Sequence, residues 1–314
     1  MNIDTRIKFR HLLCFLEVAQ QRSFAKAAHA VSVSQPAISK TLKELEDILE
    51  VRLFDRAKTG VVLTQSGQDF MRYAGPCVQA LRDGVSSVRS GSVQGQVVRV
   101  GVLSTVESQV MPEVIQRLHA RYAALTISVT TGMSAYLLNQ LKVGELDVVV
   151  GRMTDSPEIQ GLNFEHLYSE SMTLVVRPGH PVLQDEKIDR QRLADYPLIL
   201  PLSGTTIRQY AESFFVQCGI PLTQQRLETL SPALSRRYVL QSDAIWIAPL
   251  DAVQIDIQAK ALMELSLGIQ EPGGSIGLCR NSTVPLPLAG QWFCETLREV
   301  ATELVAHRAA IHNH

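Results

Sequence analysis

A chain of 314 residues has room for two or more domains with sizeable cores, and 46% hydrophobic against 19% charged residues excludes a disordered chain. The formal charge of -1 gives no sign of a polyanionic partner, yet it hides a split: residues 1–64 hold ten Lys/Arg against seven acids, net +3, and the remainder is net -4. Five scattered cysteines, Cys14, Cys77, Cys218, Cys279 and Cys294, lack ligand spacing, which argues against a disulfide framework and a zinc site and for a reducing cytoplasm.

Residues 8–21 put Phe9, Leu12, Leu13, Leu16 and Ala19 on one face of an amphipathic first helix. This N-terminus is too polar for a signal peptide, and no run of about 18 apolar residues follows, so neither export nor a membrane partner is expected. Ser23 is a good N-cap for a short second helix with an inner stripe of Phe24, Ala27, Ala28 and Val31. In VSVSQPAISKTLKELE, residues 31–46, Ser32 to Ser34 form a turn with cap residues and Pro36 lies near the first helical position. Ile38, Leu42, Leu45 and Leu49 then make a buried seam, while Gln35, Pro36, Ser39, Lys40 and Lys43 lie around the other side. Two short apolar runs around a charged turn, in VRLFDRAKTGVVLT, predict a β-hairpin or wing. Helix, helix, turn, helix, hairpin is the order of a winged helix-turn-helix over residues 1–64.

Residues 65–90 repeat apolar positions at Phe70, Ala74, Cys77, Leu81, Val85 and Val88, a narrow seam best buried against a second copy of the helix; packing on its own domain is the alternative. Pro76 argues against a straight rod. A Gly/Ser hinge at 91–96 precedes a change to alternating strands and helices. Strands at VVRVGVL, LTISVTTG and LDVVVG with intervening helices near 110–122 and 134–143 form one half. TLVVR, PLILP, a helix near 205–217, a strand at 225–230, a helix from Ser231 to Gln241 and AIWIAP form a second. The strand SIGLCR and a terminal amphipathic helix could return to the first half, and the tail HRAAIHNH reads as a frayed terminus.

The third helix is suited to reading DNA, since its N-terminal residues can meet base edges in the major groove. Gln35 can pair with adenine, Lys40 can donate to guanine or phosphate, Ser39 can approach closely, and Pro36 can touch a thymine methyl. Ser34 and Lys26 flank this surface; Lys43, Arg52, Arg56 and Lys58 offer phosphate or minor-groove charge. A solvated lysine face on a small bundle is the bland alternative. Each α/β half also opens with a strand followed by hydroxyls at a helix start, Ser104 and Thr105 in one and Ser203, Thr205 and Thr206 in the other. Free N–H groups and hydroxyls there would bind a small carboxylate, although each could be a simple N-cap. Arg208 could add a counter-charge, with a plain surface arginine as the commoner outcome.

FRHLLCFLEVAQQRSFAKAAHAVSVSQPAISKTLKELEDILEVRLFDRAKTGVVLTQSG resembles the N-terminal domain of LysR-type transcriptional regulators, through the alanine run, the SQPAIS turn-helix, the VRLFDR join and the LT-x-x-G helix entry. LKVGELDVVVGR and VVRPGHPV extend the resemblance over almost the whole chain. It implies an α/β fold in which a winged helix-turn-helix and long linker helix precede a two-subdomain, periplasmic-binding-protein-like effector domain. Subdomain I would take 97–168 and 268–314, and subdomain II 169–267.

The resemblance implies a homodimer or homotetramer that binds double-stranded promoter DNA, contacts RNA polymerase, associates with the nucleoid in the cytoplasm, and alters the DNA bend when a small organic acid binds as effector rather than as cofactor. It places Gln35, Pro36, Ser39 and Lys40 at base-reading positions, Arg56 and Lys58 in the wing, and adds Thr131, Ser134, Ser231 and Pro249 to the effector cleft. Many members carry Arg where Lys40 stands, and an ammonium cannot reproduce the guanidinium fork. Within the family the opening residues and RYAG most resemble regulators of protocatechuate breakdown, which suggests aromatic catabolism and a muconate-like di- or tricarboxylate. No phosphate loop, nucleophile elbow or paired-histidine motif supports an enzyme. A cytoplasmic solute-binding protein without DNA function is the runner-up, but it leaves the basic N-terminal module unexplained.

Overall fold

The computed structural model describes residues 4–57, 60–90, 96–152, 159, 161–184, 188–268, 272–282 and 284–312; Lys58 and most of the expected hinge at 91–96 lie outside them. The chain begins with α1 (Phe9–Gln21), α2 (Phe24–Ala30) and α3 (Gln35–Leu49), then an antiparallel hairpin of β1 (Phe54–Ala57) and β2 (Gly60–Leu63). Local chemistry sets the helix starts: the Ser23 hydroxyl accepts from the Lys26 N–H and the Ser34 hydroxyl from the Ala37 N–H, each satisfying one orphan donor. Phe15, Val18, Ala27, Ile38, Leu42, Leu45 and Leu53 form the core, and Glu46 Oε1 accepts from the Leu53 and Phe54 N–H groups at 2.7 and 3.2 Å, tying α3 to the hairpin.

The expected inner face of α1 needs correction. Phe9 is exposed, and His11, Phe15 and Val18 are the buried residues. Apolar side chains surround most of α1, so α3 and α4, rather than periodicity, decide which stripe turns inward.

α4 (Gln65–Ser90) continues unbroken through Pro76. Along it Met71, Ala74 and Val78 are buried in this chain, so Ala74 packs at home rather than in an exposed seam, while Tyr73, Cys77, Leu81 and Val85 are exposed. The side chain of Val88 is not among those described. Gly75 makes the home contact possible: a Cβ there would stand 2.4 Å from the Val143 carbonyl oxygen. Arg82 pairs with Glu145 at 2.6 Å on the same side.

The remainder is built on a nine-stranded sheet. Its first half runs β3 (Val97–Val102), α5 (Glu107–Arg121), β4 (Thr126–Thr131), α6 (Ser134–Lys142) and β5 (Val148–Arg152), with β3 parallel to both β4 and β5. β6 (Leu162–Val176) then crosses into the second half: its early residues, to Ser171, pair with a later strand, and Met172 onward pairs elsewhere. The second half comprises β7 (Leu198–Leu200), α7 (Thr206–Cys218), β8 (Arg226–Glu228), α8 (Pro232–Gln241), β9 (Ile245–Pro249), α9 (Leu250–Gln258) and the short β10 (Met263–Glu264). β11 (Pro272–Asn281) returns antiparallel to β5 and β6, and α10 (Leu288–His312) closes the chain against α5. One apolar core fills the first half, and two, on opposite sheet faces, fill the second.

Three sequence expectations change here. TLVVR is only the end of a 15-residue strand. α9 has no counterpart among the expected helices: the expected strand AIWIAP ends at Pro249, and the helix starts at the next residue. As far as the described residues run, the tail is helical rather than frayed: α10 extends to His312, and Arg308 within it pairs with the buried Asp251.

Candidate functional site: reading helix and effector pocket

Ser34, Gln35, Pro36, Ser39, Lys40 and Lys43 are all exposed on the N-terminal part of α3, opposite its buried seam of Ile38, Leu42 and Leu45. Lys26 is exposed on the neighbouring α2. The Ser34 hydroxyl is occupied as the helix cap, which leaves it less free for a base. Arg56 lies in β1 opposite Val61 in the hairpin register. Val33, exposed at the turn, joins this surface although the sequence pattern does not single it out. The surface therefore presents an amide, hydroxyls and ammonium groups from one helix end, with α1 and α2 bracing it, which is the geometry of major-groove entry.

The second site is a cleft of about 680 Å³ between the halves of the sheet domain. It lies beyond the carboxyl ends of the parallel strands, where α/β sheets bind ligands. Residues from the first turns of five helices line it: Glu107 and Ser108 of α5, Ser134 of α6, Thr206 and Ile207 of α7, Pro232 and Ala233 of α8, and Asp251 and Ala252 of α9. Helix N-termini carry partial positive charge and free N–H groups, so their convergence favours an anion.

Of the residues expected in the cleft, Ser104, Thr105, Thr131, Ser134, Thr205, Thr206 and Ser231 line it. Ser203 and Pro249 do not: the Ser203 hydroxyl donates to Glu228 at 3.2 Å, and Pro249 precedes α9 as its N-cap. The expected symmetry of two hydroxyl-rich helix starts is also corrected. Thr205 and Ser231 are genuine caps, accepting from the Arg208 and Leu234 N–H groups, whereas α5 begins only after Val106 and has no side-chain cap. Ser104 instead spans the cleft, donating to the Leu230 carbonyl at 2.9 Å, and Thr131 donates to Glu107 at 2.6 Å. Arg208 is neither a surface arginine nor a ligand for the cleft. It is buried, donating to the Pro201 carbonyl and pairing with Glu212 and Glu228, and its guanidinium holds the Glu228 carboxyl below the usual range.

Sequence reasoning missed the floor of the cleft. Arg152, at the end of β5, and Asp251, in the first turn of α9, are 4% and 1% exposed and both line it. Behind them Arg152 pairs with Glu170 and Arg308 pairs with Asp251, with the Arg308 guanidinium 5.3 Å from the centre of the Tyr168 ring. Burial pushes the Glu170 carboxyl up to about 8 against the opposing pull of Arg152, and burial likewise raises Asp251 and the Tyr168 phenol. A buried acid with a raised folded-state pKa stabilises the fold below its unfolded value and loses that contribution as pH rises through about 8. Thermal unfolding of the full chain is expected at a higher temperature at pH 6 than at pH 8.5. Glu170→Gln, which imitates the protonated acid, should flatten that slope.

Comparison with known proteins matches the two regions of the chain that carry these residues. Residues 9–68 match the model described as bacterial regulatory helix-turn-helix protein, lysR family, and residues 91–302 match the LysR substrate binding domain. The chain belongs to the LysR family of transcriptional regulators. The HTH-type transcriptional regulator PcaQ of Agrobacterium fabrum is 40% identical over 305 residues, 96% of this chain and 97% of its own. Among solved structures, full-length LysG from Corynebacterium glutamicum with bound effector Arg gives a TM-score of 0.64 at 16% identity, covering 95% of this chain and 99% of that one. Vibrio fischeri DarR in complex with DNA gives 0.54 at 20% identity, covering 95% and 99%. At such identities the two structures show the fold, a full-length LysR arrangement. As a LysR-type regulator the chain is a DNA-binding protein with an effector domain, and its relatives' names are those of regulators rather than enzymes.

For a LysR-type reading helix, Gln35→Ala should cost about 1–3 kcal/mol at one base position and relax the preference there, whereas Lys43→Ala should weaken all sequences alike. Binding-site selection with each variant checks the contrast.

Proposed function

We propose that this regulator senses a small organic acid in the cleft and, as a homodimer or homotetramer, passes its occupancy to promoter DNA as a change of bend and of contact with RNA polymerase. The observation that carries the acid reading is the meeting of five helix N-termini over the buried Arg152 guanidinium. A carboxylate there gains charge-assisted hydrogen bonds that a neutral solute of the same size would not. The exposed Tyr73, Leu81 and Val85 along α4 support burial of that helix against a second copy. Similarity to PcaQ agrees with the resemblance to regulators of protocatechuate breakdown and supports a role in aromatic catabolism, in the cytoplasm at the nucleoid.

An acid that favours one of two assembly shapes must bind it more tightly than the other, and that difference is all it can transmit. Footprinting and gel-bend assays with a panel of small carboxylates test this. The expected result is an acid that changes footprint length or bend angle with little change in occupancy. Stabilisation by neutral solutes alone, with no carboxylate altering the footprint, would overturn the acid reading.

A further inference from the structure

The surface at the start of α3 is largely polar, and Val33 is the large aliphatic side chain on it. It is 46% exposed, among the exposed Ser32, Ser34, Gln35, Ser39 and Lys40. Val31, two residues earlier, packs against the core of the reading module instead. The backbone around Val33 is held on both sides: Ser32 takes a left-handed φ of 56°, the Val33 N–H donates to the Ala28 carbonyl at 3.0 Å, and Ser34 caps α3. A residue in front of a cap often packs on the fourth residue of the helix, here the fully buried Ile38. Such a staple would account for the part of Val33 that is covered, but not for the part that is open.

We infer that Val33 reads sequence, covering the C5-methyl of a thymine near the base met by Gln35. The inference goes beyond the acid reading of the cleft and rests on entry of α3 into the major groove. Base edges there present donors and acceptors, and the thymine methyl is the apolar group among them. An open valine pressed on polar edges would strip water from them without replacing the lost hydrogen bonds. Pressed on a methyl, it removes only apolar surface from water on both sides, which favours binding. Valine is stiff at χ1, so holding it in place costs little order. Pro36, exposed in the first turn of the same helix, is the competing apolar contact, and substitution separates the two.

Anisotropy titration of the full-length chain on the duplex that its footprint defines tests the inference, with each thymine replaced in turn by deoxyuridine, which lacks only the methyl. At one thymine, or at it and its mate in a second half-site, the wild-type chain should bind about fourfold more weakly, the effect of one methyl group left in water. Val33→Ser should bind the unmodified duplex more weakly by a similar factor and no longer distinguish thymine from uridine at that position. Val33→Ile and Pro36→Ala should both keep the distinction. If Val33→Ser does not fold, Val33→Ala takes its place and should lose most of the distinction. A site in which no thymine is sensitive, or a sensitivity that survives removal of the Val33 side chain, would overturn the role of Val33. If the footprint still depends on Gln35 in that case, reading by α3 stands; if it does not, that reading falls as well.

Discussion

Replacing Arg152 with methionine is expected to abolish acid binding and to destabilise the sheet domain by about 1–3 kcal/mol above pH 8, the cost of leaving the buried Glu170 carboxyl without its hydrogen-bond partner. Arg152 is one of two guanidinium groups in a cluster that also holds Glu170, Asp251 and the Tyr168 phenol, drawn from β5, β6, α9 and α10. Methionine keeps most of the volume and none of the charge, so packing loss contributes little. Glu170 determines the pH dependence of the effect. With Arg152 in place Glu170 ionises as pH rises through about 8; without that guanidinium, which pulls its pKa down, it keeps its proton to higher pH, so the variant falls further behind only where the wild-type chain has ionised it. The destabilisation should therefore be smaller at pH 6 than at pH 8.5. Denaturant titration at the two pH values measures it, and an equal, small loss at both would show that the cluster is not acting as a charged unit.

Gly75→Ala is the second large effect expected, and it acts on communication rather than on either site. In an exposed helix interior this substitution would favour the helix by roughly 0.5–1 kcal/mol. Here the new methyl would stand 2.4 Å from the Val143 oxygen and 2.5 Å from its carbonyl carbon, backbone atoms that cannot rotate away. Overpacking of this kind costs about 1–3 kcal/mol and is relieved only by moving α4 off the end of α6. That contact joins the DNA-reading module to the first half of the effector domain, with Arg82–Glu145 beside it. The variant should still bind promoter DNA but lose most of its response to acid, read as a footprint that no longer changes length. A normal response would mean that α4 and α6 can part without consequence.

The parts of this molecule legible in its sequence are those set by neighbours along the chain. Ile38, Leu42 and Leu45 recur at helical spacing, and Ser23, Ser34, Thr205 and Ser231 cap helices through bonds three residues away, so the reading helix and much of the rim of the cleft follow from local pattern alone. The face of α1 does not, because several stripes compete and tertiary packing chooses His11 over Phe9. Nor does the floor of the cleft. Arg152 meets Glu170 across 18 residues and Asp251 meets Arg308 across 57, and no local pattern marks a buried ion pair assembled at that range. Arg208 shows the same limit in reverse: its place at a helix start suggests a ligand contact, but Glu228, 20 residues on, already claims it. The tail reads as frayed because its charged and small residues lack a strong stripe, yet Arg308 anchors it from within.

The claim that α3 reads DNA on behalf of an acid-sensing domain is tested most directly by footprinting the full chain on its own promoter region at moderate and high salt, with wild-type protein and Gln35→Ala side by side. The expected result is a discrete protected site that weakens steeply with salt. In the Gln35→Ala lanes protection should tolerate substitution at one base position and otherwise keep its boundaries. No protected site at any salt, or a footprint indifferent to Gln35, would contradict it.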